Sequence, residues 1–263
     1  MTEVIDEVPE HFYKYRSLVG DAVRWVERIV LGNEIYFAPA STFNDPFDSR
    51  PVFSLEAPPE HHRADFLRMS KKFEPHLTDE QREGMADAAM AKSLSPENID
   101  MTAGAIQAVH NQVIRQQVGL FCVSAKCDDI LMWSHYADSH RGICLEFDGM
   151  SRLMALAQRV TYSEERVPIN PYQDSEMAMV DKAILTKSMH WSYEEEWRLI
   201  RYKEGPGVVQ FRPHNLTGII LGASANHETV EMVRSWVRRR PSPVNLYCAS
   251  VSNKRFELSI EPR

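Results

Sequence analysis

Long apolar stretches are missing from this sequence of 263 residues. No segment reaches the roughly 18–20 consecutive apolar residues that a membrane-spanning helix needs. The acidic segment Met1–Glu10 also lacks the charged-then-apolar pattern of an export signal. We therefore expect a soluble, cytoplasmic protein with no membrane partner.

Cysteine is scarce as well. The chain has four cysteines, at Cys122, Cys127, Cys144 and Cys248. They do not form the framework of a disulfide-stabilised protein, and a reducing compartment suits them better. A zinc site would need a close pair such as Cys-x-x-Cys, followed by a second pair or by histidines, and this spacing does not occur. The sequence therefore predicts no structural metal.

An excess of positive charge is also lacking. Thirty lysines and arginines stand against 37 aspartates and glutamates, which gives a formal net charge of −7. This balance argues against sequence-independent DNA binding, because such binding depends on many phosphate contacts from cations. It still permits a nucleic acid as a substrate, since a local cluster of cations can override the global charge.

Hydrophobic residues make up 43% of the chain and aromatic residues 10%, which is enough for a substantial core. The predicted strands do not alternate regularly with helices, so a doubly wound parallel sheet is not expected. From about residue 55 to residue 117 the chain is polar with helical patterns, and Thr78-Asp79-Glu80-Gln81 has the signature of a helix capping box. We predict a single α+β domain over residues 1–263, with a mixed, mostly antiparallel sheet and this helical insertion.

Three segments combine aromatic and ionisable residues at high density. They are Tyr13-Lys14-Tyr15-Arg16, the pair formed by Phe121-Cys122-Val123-Ser124 and Met132-Trp133-Ser134-His135-Tyr136-Ala137, and Trp191-Ser192-Tyr193-Glu194-Glu195-Glu196-Trp197-Arg198. The first two segments begin near predicted strands, and the third leads into one. We take these segments as the candidate site.

The third segment contains two glutamates that a strand would place on one face. Strand alternation puts Glu194 and Glu196 on the same side, about 6–7 Å apart along the chain. One carboxylate can then stabilise a developing cation while the other orients or deprotonates a nucleophile. The alternative is a solvated strand start, in which either glutamate pairs with Arg198 or Arg201.

An arginine on an early strand, a serine on a middle strand and a late Glu-x-Glu resemble the arginine–serine–glutamate signature of ADP-ribosyltransferases. The resemblance implies a similar sheet, with NAD as the substrate. It implies that Arg16 binds the NAD phosphates, that Ser124 orients the site, that Glu196 is the catalytic carboxylate and that Glu194 assists the acceptor. The middle motif is Cys122-Val123-Ser124, where that family often has Ser-Thr-Ser, so one hydroxyl is missing.

Further residues are candidates for contact with NAD. Tyr15, Trp133 and Tyr136 are aromatic and suited to stacking on nicotinamide, and His135 beside Tyr136 offers polar groups. Asn44 lies in a loop after the second predicted strand, where it would line the rim of the pocket. For Trp133 a place in the core is the alternative, for His135 and Tyr136 a core or capping role, and for Asn44 a bond that organises its own turn.

A second resemblance rests on longer motifs. The chain resembles domain-of-unknown-function family 2971 in the segments Asn44-Asp45-Pro46-Phe47-Asp48, Met132 to Ala137, Gly142, and Trp191 through Arg198. These motifs extend over most of the chain. The family name implies no activity.

We expect an NAD-dependent ADP-ribosyltransferase or NAD glycohydrolase with a macromolecular acceptor, protein or nucleic acid, and a role as a toxin or in phage defence by analogy. Two alternatives remain open. One is a Mg²⁺-dependent nuclease, with ligands among Asp45, Asp48, Glu146, Asp148, Glu194 and Glu196. The other is a non-enzymatic module that binds a nucleotide or a peptide.

Overall fold

The computed structural model describes residues 7–93 and 96–263, so most of the segment considered for an export signal lies outside the described residues. The strands are β1 (His11–Arg16), β2 (Glu34–Pro39), β3 (Gly119–Ser124), β4 (Ile143–Asp148), β5 (Gln158–Arg159), β6 (Thr161–Ser163), β7 (Thr186–Ser188), β8 (Glu196–Arg201), β9 (Gly207–Gln210), β10 (Leu216–Leu221), β11 (Asn245–Val251) and β12 (Leu258–Pro262). The α-helices are α1 (Ala22–Gly32), α2 (Pro59–Phe73), α3 (Asp79–Ser93), α4 (Pro96–Gln117), α5 (Ile130–Tyr136), α6 (Glu176–Ile184) and α7 (His227–Arg239). Within the described part of the chain, no helix combines the length and the apolar character needed to cross a membrane.

The chain divides into two compact units. The first, called the sheet unit here, comprises Met1–Thr42, Gln116–Tyr162 and Met189–Arg263. The second, called the helical unit, comprises Phe43–Arg115 and Ser163–Ser188. Helices α2 to α4 lie within the range expected to be helical, although the helical unit also includes α6 and β7. The organisation as a single domain stays a prediction.

The sheet unit is built on one ten-stranded sheet. Eight strands follow the order β12-β11-β10-β4-β1-β3-β2-β9, while β8 pairs with β3, and β5 pairs with β8. Strands β10 and β11 run parallel, and the other neighbours in this sheet are antiparallel. The predicted α+β class with a mostly antiparallel sheet is therefore confirmed.

Side chains alternate between the two faces of this sheet. The first face packs on α1 and α7 through a large apolar cluster that includes Phe12, Phe121, Val123, Phe147 and Trp197. The second face packs on α5 through a smaller cluster that includes Tyr15, Cys144, Ile220, Met132 and Trp133. Because Tyr13, Ser124 and Glu196 alternate with residues of the first face, they lie on the side of α5.

The helical unit contains the predicted capping box. The Oγ1 atom of Thr78 accepts a hydrogen bond from the backbone N–H of Gln81 at 3.2 Å, and Oε1 of Gln81 accepts one from the N–H of Thr78 at 2.8 Å. These reciprocal bonds satisfy two of the N–H groups that the start of a helix leaves without partners. The sequence signature is confirmed at α3.

Candidate functional site

A row of polar residues crosses four neighbouring strands. Ser124 at the end of β3 is in register with Tyr13 of β1 on one side and with Glu196 of β8 on the other. Tyr13 is in turn opposite Glu146 of β4. Directly opposed residues present their side chains on the same face, so segments far apart in the sequence meet on the α5 side of the sheet.

Glu194 reaches this row from a different element than the pattern predicted. It ends the 3-10 helix Met189–Glu194, and Glu195 has a left-handed φ of 41°. The strand therefore begins only at Glu196. The two glutamates do not share a face through the strand alternation that was predicted, because the turn at Glu195 interrupts the alternation. Both glutamates are nevertheless buried, each with 4% exposure.

Ser124 and Tyr136 both hydrogen-bond to Glu194. The Ser124 hydroxyl, which is buried, donates to the Glu194 carbonyl at 2.6 Å and accepts from the backbone N–H of Lys126 at 3.0 Å. The Tyr136 hydroxyl at the end of α5 donates to the Glu194 carboxylate at 2.7 Å. Three of the predicted site residues are thus brought into direct contact.

Glu196 is held by an arginine on its own strand. Arg198 donates through Nε and Nη2 to the two carboxylate oxygens of Glu196, at 2.8 and 3.0 Å. Period 2 places the two side chains on one face. The sequence offered an ion pair between Glu196 and Arg198 as an alternative to a catalytic role, but at a solvated strand start. The pair forms in the structure and is buried, since the Arg198 side chain has 0% exposure and that of Glu196 has 6%.

The glutamate between these two behaves differently. The Glu195 carboxylate forms a salt bridge of 2.6 Å with Lys126, and both side chains are 40% or more exposed. Glu195 therefore differs from its neighbours in burial while sharing their chemistry, which makes it a natural reference for substitutions at Glu194 and Glu196.

The sheet opens between β1 and β2, which both contact β3 along one edge. Strand β1 meets β3 at Ser124, and β2 meets it at Gly119 and Leu120, which leaves residues 121–123 between the two contacts. The Lys14 ammonium donates to the Cys122 carbonyl in this interval. We call this opening the β1–β2 gap.

Two cations belong to the β1–β2 gap. Burial and the charge of Arg16 lower the pKa of Lys14 to about 8, while the carboxylates of Glu196 and Glu194 act in the opposite direction. Burial likewise lowers the pKa of Arg16. The Nε atom of Arg16 is buried and has no hydrogen-bond partner among the described residues. Alternation along β1 places Arg16 with Lys14, on the face opposite to Tyr13 and Tyr15.

The predicted aromatic residues separate into a core pair and a more accessible pair. Tyr15 and Trp133 pack edge to face with ring centroids 5.2 Å apart, and Trp133 has no exposed surface. Their polar atoms donate to the Lys126 and Cys127 carbonyls, each at 2.8 Å. His135 is exposed and Tyr136 is half-buried. The rings of His135 and Tyr193 lie 6.4 Å apart.

Asn44 belongs to the helical unit, whereas the other predicted site residues belong to the sheet unit. It is exposed. In the same loop, the Asp45 carboxylate accepts a hydrogen bond of 2.8 Å from the backbone N–H of Phe47. This side-chain-to-backbone bond of Asp45 organises the local turn.

Tyr13 and Lys14 lie in a segment that the sequence singled out, but the sequence assigned them no role, and it considered Glu146 only as a metal ligand and not as a neighbour of Tyr13. The Thr217 hydroxyl donates to this Glu146 carboxylate at 2.8 Å. The available signal was the alternation of aromatic and cationic residues in Tyr13-Lys14-Tyr15-Arg16. It indicates a strand but does not show which strand lies beside it.

Candidate metal ligands do not cluster in the described residues. Within residues 7–93 and 96–263, no group of three or more His, Cys, Asp or Glu side chains is placed to hold a metal ion. The four cysteines are free thiols. Burial and the neighbouring Glu196 carboxylate raise the pKa of Cys122, so this thiol stays protonated at neutral pH.

Comparison with known proteins finds a match to a protein family. No curated protein and no solved structure matches the chain. The family match begins within α5 and ends within β8, and it leaves out the motif at Asn44–Asp48, so it is shorter than the sequence motifs suggested. Over residues 132–199 the chain is similar to the family described as "Protein of unknown function (DUF2971)", as predicted from its motifs.

Proposed function

We propose that the protein cleaves the bond between nicotinamide and ribose in NAD, as an ADP-ribosyltransferase or an NAD glycohydrolase. The observation that supports this proposal is the meeting of Ser124, Glu194 and Glu196 on one face of the sheet. These residue types occur in the order of the ADP-ribosyltransferase signature, and two of them are buried carboxylates. In this proposal the sheet is also related to that of ADP-ribosyltransferases.

The chemistry of NAD cleavage assigns a role to each carboxylate. As the nicotinamide leaves, positive charge develops on the ribose, and a fixed carboxylate stabilises it. Glu196 suits this role because its bidentate bonds to Arg198 fix its orientation. Glu194 would then orient the acceptor that attacks the ribose carbon. Its carboxylate is positioned for this by the Tyr136 hydroxyl.

The cations of the β1–β2 gap suit the phosphates of NAD. A guanidinium group binds phosphate oxygens through charge-assisted hydrogen bonds, and the buried Nε of Arg16 has no hydrogen-bond partner among the residues the structure describes. Lys14 lies within electrostatic reach of both Arg16 and Glu196. Because Arg16 and Glu196 start from opposite faces of the sheet, a ligand that contacts both would have to enter this gap.

The accessible aromatic residues suit the nicotinamide ring. His135, Tyr136 and Tyr193 remain at least partly exposed, and aromatic rings of this kind stack on a planar heterocycle. Tyr15 and Trp133 would instead support the site from the core. The acceptor would be a protein, a nucleic acid or water, and a role as a toxin or in phage defence is part of the same proposal.

Incubation of the purified protein with labelled NAD, with and without cell lysate, tests this proposal. We expect release of nicotinamide, transfer of label to an acceptor in the lysate, and loss of both in a Glu196→Gln variant. In a Glu194→Gln variant we expect transfer to be lost while hydrolysis persists. The amide retains an acceptor for the Tyr136 hydroxyl, so this variant perturbs the fold little.

The same samples distinguish the alternatives. Cleavage of nucleic acid that depends on added Mg²⁺, without any release of nicotinamide, would favour the nuclease. NAD or peptide binding that is altered by these variants without turnover would favour a binding module. No release of nicotinamide under any condition, together with no NAD binding in calorimetry, would overturn the proposal.

A further inference from the structure

The helical unit contains a cleft that the proposed NAD chemistry does not use. Its volume is about 180 Å³. Three segments form its walls: the loop that includes Phe47 and residues 49–52, the loop at residues 163–167, and residues 182, 183 and 186–188 at the end of α6 and in β7. All of these residues lie within the helical unit.

Two arginines in this cleft have no acidic partner among the residues that the structure describes. Lys182 and Lys187 also line it, but Lys182 is bound to Asp174 at 2.7 Å, and Lys187 is buried 3.9 Å from Asp48. Arg50 and Arg166 are exposed, and neither forms an ion pair in the described parts of the chain. Arg166 donates to the backbone carbonyl of Arg50, which brings the two residues together.

A third guanidinium lies close to this pair. The side chain of Arg115 donates to the Asp48 carbonyl at 3.2 Å. Burial and the charge of Arg50 lower the pKa of Arg115, while the charge of Asp48 acts in the opposite direction. In a chain with a net charge of −7, such a local concentration of guanidinium groups indicates a site for an oxyanion, which binds arginine in a bidentate manner.

Part of the cleft wall is apolar, and an aromatic ring lies at its edge. Pro51, Val52 and Ala183 contribute to the walls. Phe47 is 61% exposed, and the Arg166 guanidinium lies 5.7 Å from its ring centroid. Arginines that hold phosphate beside an exposed aromatic ring are the combination with which proteins bind nucleotides, because a base stacks on the ring.

The size and the rim charges restrict the ligand further. The volume of about 180 Å³ is below the roughly 300–1,000 Å³ of sites that enclose a drug-sized ligand. The cleft therefore accommodates one phosphate and part of its nucleoside, and it is too small to enclose a dinucleotide such as NAD. Glu164 and Glu165 are exposed at the rim, and their charges oppose a long polyanion.

We infer that this cleft binds a single nucleotide unit, with its phosphate on Arg50 and Arg166 and its base against Phe47. The phosphate would come from a free mononucleotide or from the 5′-phosphorylated end of a strand. This site would be separate from the carboxylates of the sheet unit and would not depend on the activity proposed for them.

Equilibrium binding measurements test this inference. The ligands are inorganic phosphate, adenosine 5′-monophosphate, adenosine, and a short oligonucleotide with and without a 5′-phosphate. We expect adenosine 5′-monophosphate to bind more tightly than either inorganic phosphate or adenosine. The Arg50→Gln substitution should lower the affinity for the monophosphate roughly tenfold or more. The Phe47→Leu substitution should weaken binding of the monophosphate and leave binding of inorganic phosphate unchanged. The two oligonucleotides show whether a strand end is accepted.

Matched variants make the result specific. Arg68→Gln removes another exposed arginine of the helical unit, which pairs with Asp65, and should leave binding unchanged. Glu194→Gln in the sheet unit should also leave it unchanged, whatever its effect on NAD. Failure of the monophosphate to bind at millimolar concentration would overturn the inference. An equal loss in Arg50→Gln and Arg68→Gln would overturn it too, because it would indicate unspecific attraction.

Discussion

At the scale of single residues, the buried pair of Glu196 and Arg198 has the largest expected effect on stability. Removing one partner of a buried ion pair leaves an uncompensated charge, which costs about 3–5 kcal/mol. We therefore expect Glu196→Gln to lower the free energy of unfolding by about this amount, measured by urea denaturation. Glu195→Gln should change it by less than about 1 kcal/mol, because its pair with Lys126 is exposed.

A double variant provides the control for this prediction. Glu196→Gln combined with Arg198→Met removes both charges, and replacing a whole buried pair is often neutral. We expect the double variant to be more stable than Glu196→Gln alone. If Glu196→Gln and Glu195→Gln cost the same, the Glu196 carboxylate is not held in the buried pair.

The sequence predicted part of the site at this scale. The order of Ser124, Glu194 and Glu196 along the chain was sufficient to select three residues that come together. The sequence assigned no role to Lys14, because a lysine between two tyrosines on a strand normally points to solvent. Its contact with the Cys122 carbonyl depends on the gap between two strands, which no local pattern encodes.

At the scale of elements, Gly142 directly before β4 allows a close approach between backbones. A Cβ atom there would lie 2.2 Å from the Arg16 carbonyl oxygen at the end of β1. Because backbone cannot give way without disturbing the β1–β4 pairing, we expect Gly142→Ala to lower the free energy of unfolding by about 1–3 kcal/mol or more. Urea denaturation measures the change.

Gly84 in α3 is the matched control. A Cβ atom there would meet no atom within 4 Å, and alanine is favoured over glycine inside a helix by up to about 1 kcal/mol. Gly84→Ala should therefore stabilise the protein. The same sign of change for both substitutions would contradict the close approach at Gly142.

Local sequence signals predicted some helix and strand ends correctly and others not. The capping box at Thr78 and Gln81 formed as predicted, because both of its partners lie within one turn. The strand alternation assumed at Glu194 did not occur, since the sequence Trp191-Ser192-Tyr193-Glu194 suits a strand as well as a 3-10 helix. The choice between them depends on packing: Glu194 ends its helix where it receives the Ser124 and Tyr136 hydroxyl groups.

At the scale of the whole molecule, buried acidic groups predict a loss of stability at alkaline pH. Burial raises the pKa of three cysteines and two tyrosines above their ordinary values: Cys122, Cys127, Cys144, Tyr13 and Tyr15. For Cys127 the folded value is about 11. The stabilising contribution of such a group is fully present at a pH below its pKa in the unfolded chain. It is lost as the pH rises towards the pKa of the group in the folded protein. Each contributes up to about 1.4 kcal/mol per pH unit.

Lys14 acts in the opposite sense, because its folded pKa of about 8 lies below its ordinary value of 10.5. Between these two values its contribution to stability rises with pH. The five cysteine and tyrosine groups together lose more stability than Lys14 contributes, so we expect the free energy of unfolding to fall above about pH 9. Urea denaturation at pH 7.5 and 10 measures it. The free energy of unfolding of a Cys122→Ala variant should fall less steeply with pH. A free energy of unfolding that does not change between these two pH values would contradict the burial of these groups.

The sequence also predicted the architecture in outline. Strands that do not alternate with helices indicated an α+β protein, and the sheet is mostly antiparallel. The order of its strands was not predictable, because β3 pairs with β8 across more than 70 residues of chain, and such pairing depends on long-range packing. The cleft with Arg50 and Arg166 was missed for the same reason, since its walls come from separate segments.

The release of nicotinamide from NAD by matched glutamate variants tests the central claim most directly. The rate should fall at least about a hundredfold in Glu196→Gln and stay at the wild-type level in Glu195→Gln, with folding of both verified by circular dichroism. The double variant with Arg198→Met should also be inactive while folded, which separates loss of chemistry from loss of structure. A wild-type protein that releases no nicotinamide, or a folded Glu196→Gln that releases it at the wild-type rate, would contradict the account.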